Sequence, residues 1–156
     1  MPSSDGISLA AMRAFYEQYV KGKMKEDCTT ADIFELVKSI TKASESESSG
    51  GAGISYCQLL RRRQSATSPS SPDEVGLANV FISHAWKYKF HEFLLALEAK
   101  FKGQLGVFLW IDIFSHNQHE ELTSDEWITQ FEHHIVRIHR TVMIVFPWDN
   151  PIPFTR

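Results

Sequence analysis

The chain has 156 residues, 43% of them hydrophobic and 22% charged, enough for one packed domain or for a small domain with an extension. Its net charge of −3 is spread thinly: residues 1–78 hold nine Lys/Arg against ten Asp/Glu and residues 79–156 seven against nine, so neither half has the basic excess of a nucleic-acid binder. No apolar run is long enough to span a bilayer, the start lacks the basic and apolar segments of a signal peptide, Pro2 rules out myristoylation, and Cys28 and Cys57 are isolated small hydrophobes, so the expectation is a cytoplasmic protein with no membrane partner.

In chain order, Leu9, Met12, Tyr16, Tyr19 and Val20 recur at helical spacing, and Gly22 ends that helix. Thr29 and Asp32 form a capping-box-like start for a second helix carrying Ile33, Leu36, Val37 and Ile40 on one face. Residues 43–53 (ASESESSGGAG) are a flexible segment. Ile54–Arg63 is a short helix, closing a helical N-terminal extension over 1–64. Residues 65–78, beginning SATSPSSPDE, are the linker to residues 79–156. The three helical pieces cannot build a large core alone and must pack on something else.

From Asn79 the texture changes. Val80–His84 is a continuous apolar run ending in polar residues, as a strand buried on both faces reads. Phe90, Phe93, Leu94, Leu97 and Phe101 follow at helical spacing, with Gly103 as the cap. Val107–Phe114 is a second apolar strand. Thr123 to Glu126 is a capping box, Trp127, Phe131, Ile135 and Ile138 form the stripe behind it, and Thr141–Phe146 is a third strand closed by Pro147. Strand, helix, strand, helix, strand with short connections predicts α/β structure, with parallel strands, right-handed crossovers and the first strand central.

Ligands of such sheets gather beyond the carboxyl ends of the strands. The candidates there are Ser83, His84 and Trp86; Asp112, Asn117, Gln118 and His119; and Trp148 and Asp149. A carboxylate in an apolar strand is costly unless paired, so Asp112 is predicted to bond the turn after the first strand. Trp110, alternating with it, is a packing residue. All seven histidines lie between His84 and His139, but no zinc-type spacing occurs, so solvated positions account for them and no metal is expected. No Gly-rich phosphate loop, nucleophile elbow or catalytic triad is present.

The run Val80-Phe81-Ile82-Ser83-His84-Ala85-Trp86 resembles the first box of TIR (Toll/interleukin-1 receptor) domains. The strand ending in Trp110-Ile111-Asp112 is similar to the family's second strand, and Thr141–Trp148 to its third. The wording of these motifs, with Asn117-Gln118-His119 and the run Pro147 to Pro153, is similar to a TIR-like group of large protist and algal proteins. The resemblance implies a flavodoxin-like sheet in the order 2-1-3-4-5, self-association through exposed surfaces, and assembly of signalling complexes with other proteins. Some TIR domains cleave NAD with a glutamate on the helix after the third strand. This chain stops at Arg156, before such a helix, so the domain is expected to be partial and without NAD as a cofactor. Three readings follow: a non-catalytic interaction and scaffolding module; an NAD hydrolase once completed, for which only Glu120, Glu121 and Glu126 stand near; or a fragment without function.

Overall fold

The computed structural model describes residues 4–43, 53–66 and 72–147; residues 44–52 and 67–71 of the two polar segments, and Trp148 and Asp149, lie outside the described residues. Five strands make one sheet in the order β2-β1-β4-β3-β5: β1 (Asp5–Ile7), β2 (Val75–Leu77), β3 (Val80–Ser83), β4 (Leu109–Trp110) and β5 (Thr141–Met143). The helices are α1 (Leu9–Phe15), which continues into a π-helical turn at Tyr16–Val20, α2 (Thr30–Ala43), α3 (Tyr56–Ser65), α4 (Phe90–Lys100), α5 (Asp112–Ser115) and α6 (Ser124–Ile138). No helix among the described residues is long and apolar enough to cross a membrane.

The three apolar runs do form one parallel set with the first strand central. Val80 pairs with Leu109 on one side of β3, and Phe81 with Thr141 on the other. The sheet as a whole is mixed, however. β1 pairs antiparallel with both β4 and β2, with Ile7 opposite Leu109 and Val75. The N-terminal residues, expected to be helical only, therefore supply a strand, and Val75–Leu77 is a strand within what reads as linker. Three-residue strands are too short for alternation to show. They form because β4 offers an open edge and two glycines, Gly6 and Gly76, lie opposite each other. A Cβ on Gly6 would stand 2.8 Å from the Phe108 carbonyl carbon, and one on Gly76 would stand 2.6 Å from the Phe108 ring.

The second strand is shorter than expected. It ends at Trp110, and Asp112–Ser115 turns into a helix whose Phe114 and Ser115 amides donate to Ile111 O at 2.9 and 2.8 Å. An apolar run of this length is compatible with strand or buried helix, and here it is both in succession. β5 likewise stops at Met143 rather than Phe146.

Alternation along the strands divides the apolar residues between two faces. Val80, Ile82, Leu109 and Ile7 face the larger core, where α1 to α4 contribute Met12, Phe15, Ile33, Val37, Leu59, Phe90 and Leu97. Phe15, absent from the expected stripe, is 1% exposed and meets Tyr56, Phe90 and Phe114 edge-on. Side chains buried this fully contribute about 1.5–3 kcal/mol each, which explains why the N-terminal helices stay on the sheet. The other face carries Phe81 stacked on Trp110 at 5.0 Å, covered by Phe131 and Ile138 of α6. Both expected capping boxes are present: Thr29 with Asp32, and Thr123 with Glu126.

Candidate functional site

β3 and β4 end side by side, and the chain leaves each through a tight turn. His84 follows β3; Asp112 follows β4 by one residue and opens α5. His84 Nε2 lies 2.9 Å from Asp112 Oδ1, which also accepts from the Ile113 amide at 2.9 Å. His84 Nδ1 faces Ala85 O at 3.3 Å, and the ring packs on Phe93 at 4.9 Å. Gln118 Nε2 donates to Asp112 O at 2.6 Å, tying the loop after α5 to the same point. The pairing expected of Asp112 is thus present.

This pair is closed. The side chains of His84 and Asp112 are 2% and 10% exposed. A histidine acting as general base needs one ring nitrogen free toward its substrate, but here both face protein acceptors. The arrangement fastens the tops of β3 and β4 to each other.

The remaining candidates diverge. Asn117 Nδ2 donates to Gly53 O at 2.5 Å, and its Oδ1 accepts from the His119 amide at 3.1 Å. His119 Nε2 meets Thr41 Oγ1 at 2.8 Å; that hydroxyl donates to Val37 O at 2.9 Å, so the ring nitrogen donates to it. Both residues thus reach back to the N-terminal part rather than toward His84. Trp86 is 39% exposed, edge-on to Phe34 at 5.2 Å. Ser83 is half-buried, and its carbonyl accepts from Ile144 N at 2.9 Å. Glu120 and Glu121 are exposed, and Glu126 is held by Thr123, whose backbone and side-chain bonds lower its carboxyl pKa.

The reading of the histidines as solvated fails at three positions. His84, His116 and His134 are enclosed; His134 is only 1% exposed. His134 turns inward where Ile135, expected on the stripe, is 40% exposed, because α6 is rotated to lay its ring on Trp110 at 4.5 Å. His116 packs on Trp127 at 4.3 Å. Burial first, then neighbouring His133, His116 and Arg137, push His134 down to about 4; burial also lowers His116, partly offset by Glu120 and Asp112. His134 Nδ1, His116 Nε2, Trp110 Nε1, Gln118 Oε1 and Gln130 Oε1 find no partner among the described residues. Burial pushes the Cys57 thiol up to about 12, so it is an unreactive core residue. No group of three or more His, Cys, Asp or Glu among the described residues is placed to hold a metal ion.

Sequence reasoning missed the clamp on the turn after β3. The amides at the start of α2 are used here: Thr30 N donates to Tyr88 O at 2.8 Å and Ala31 N to Trp86 O at 3.1 Å, while Thr30 Oγ1 bonds Ala85 O at 3.0 Å. Tyr88 OH in turn donates to Ile144 O at 3.0 Å and accepts from Phe146 N at 2.8 Å. In sequence Tyr88 is one aromatic between Lys87 and Lys89, and its partners are more than fifty residues away.

The open feature is the edge at β5. Arg140 O accepts from Phe81 N, and Ile144 N donates to Ser83 O, so even-numbered residues turn their backbone toward β3. The backbone groups of Thr141, Met143 and Val145 consequently face outward, and no strand of the described residues lies beyond them. Met143 is 48% exposed and Phe146 56%. Beside them is a pocket of about 410 Å³ lined by Tyr88, Glu92, Phe93, Ala96, Ile144, Val145 and Phe146.

No protein-family model, curated protein or solved structure matches the chain.

Proposed function

We propose that this chain is a non-catalytic protein–protein interaction module whose working surface is the β5 edge. The observation that carries this is the edge strand β5, Thr141–Met143, and the three residues after it: the backbone groups of Thr141, Met143 and Val145 point outward, the side chains of Met143, Val145 and Phe146 are partly exposed, and no Lys or Pro stands between Thr141 and Pro147 to guard them. Such edges accept an added strand, main-chain bonds giving affinity and neighbouring pockets giving selectivity. The closed His84–Asp112 pair favours a structural over a catalytic role for the strand ends. The order β4-β3-β5 among the parallel strands is in keeping with the front of a flavodoxin-like sheet, and the TIR-like signalling role rests on the strand-end motifs alone.

A synthetic uncharged hexapeptide of alternating Val and Thr serves as the probe. Its addition should shift the amide resonances of Thr141, Met143 and Val145 and leave those of β2 unmoved. Val145→Pro removes an outward donor without touching the ladder to β3 and should abolish the shifts. Peptide binding elsewhere, or none at millimolar probe, refutes the reading.

A further inference from the structure

We propose that the natural occupant of this edge is a second copy of the chain, joined across a two-fold axis with the two β5 strands antiparallel and Met143 opposite Met143. The inference rests on the interaction reading above. In that register Thr141 lies opposite the partner copy's Val145, and every outward N–H and C=O of Thr141, Met143 and Val145 meets a complement, giving about six main-chain bonds. An uncharged apolar strand is its own best match, whereas the opposite edge, β2, is interrupted by Gly76 and preceded by Asp73 and Glu74.

Charge selects the same register. α4 runs antiparallel to the parallel strands, so its first turn, with Glu92, stands at the carboxyl end of β5 and its last turn at the amino end. Arg140 is at the amino end, its guanidinium over the Phe101 ring at 5.4 Å, on the same sheet face as Val142 and Ile144. A two-fold axis at Met143 carries the partner copy's Arg140 to the pocket beside Ile144 and Phe146. There Glu92, whose carboxylate also lies 3.6 Å from the exposed Lys89 ammonium, is the only charged residue of the lining among the described residues. Symmetry makes this pair twice. A parallel or shifted pairing would leave Glu92 and Arg140 without each other.

Sedimentation equilibrium of the full chain should show a monomer–dimer equilibrium. Glu92→Arg should weaken it on the order of tenfold by setting like charges together, and so should Arg140→Glu. Both residues are exposed, so folding is not at risk. The double charge reversal should restore most of the wild-type affinity. A dimer indifferent to these reversals, or doubly weakened in the double variant, overturns the proposal. So does a monomer at all concentrations, and amide exchange then separates the two readings. Fast exchange at Thr141, Met143 and Val145 leaves the open edge standing without its second copy. Slow exchange in a monomer means that the chain covers its own edge, and the interaction reading falls too.

Discussion

Acid should loosen α6 before it unfolds the rest of the molecule, and His134 is the reason. Its ring is buried against Trp110 and its pKa is depressed from the ordinary 6.5 to about 4. With the folded value below the unfolded one, the unfolded chain binds the extra proton between those two values. Stability is therefore full above pH ~6.5 and declines as pH falls toward ~4. The gap amounts to roughly 3 kcal/mol at the acid end and about 2 kcal/mol by pH 5. His116, also lowered, adds in the same direction. His134→Phe keeps an aromatic ring against Trp110 and removes the proton. Urea unfolding at pH 7.5, 6 and 5, followed by tryptophan fluorescence, should give the wild type a stability loss on acidification that the variant largely lacks. Trp110 and Trp127 each touch one of the two histidines, so their emission also reports the change locally. An equal pH slope in both proteins, or a His134 titration near 6.5 by NMR, would refute the reasoning.

Asp112→Ala strands His84 Nε2 and the Ile113 amide in a buried place and should cost about 3 kcal/mol; Asp112→Asn keeps the acceptor and should cost less, an order read from urea midpoints. An alanine variant as stable as wild type but unable to self-associate would make Asp112 a binding residue instead. Gly6→Ala should cost about 2 kcal/mol or more, because its new Cβ meets the backbone of Phe108 and Ala78; Gly76→Ala should cost under about 1 kcal/mol, because its nearest contacts are all on the Phe108 ring, which is half-exposed and can swing. Thermal melts of the two variants give the comparison, and equal losses would show that the β1–β2 pair is held otherwise.

Local chemistry announced much of this fold. The capping residues Thr29, Asp32, Thr123 and Glu126 fix helix starts through bonds three residues long, and such bonds are legible in sequence. Val80–Ser83 is apolar on both faces because it lies between two helical layers, and that too is written in the run itself. The pairing of Asp112 followed from the cost of an unpaired buried carboxylate. Other features depend on residues far apart. β1 and β2 exist because β4 presents an open edge and Gly6 and Gly76 fit beneath Phe108; alone, neither segment has a reason to be a strand. His134 rather than Ile135 faces the sheet because the rotation of α6 is set by Trp110, Phe81 and Trp127, and one residue's rotation inverts which side chain is buried. The turn carrying His84 and Trp86 is held by α2, whose first amides find their acceptors only once α2 lies against that turn. Sequence periodicity determines which residues can share a face; which face is covered, and which edge of the described sheet falls at β5, is decided by the spatial order of the strands.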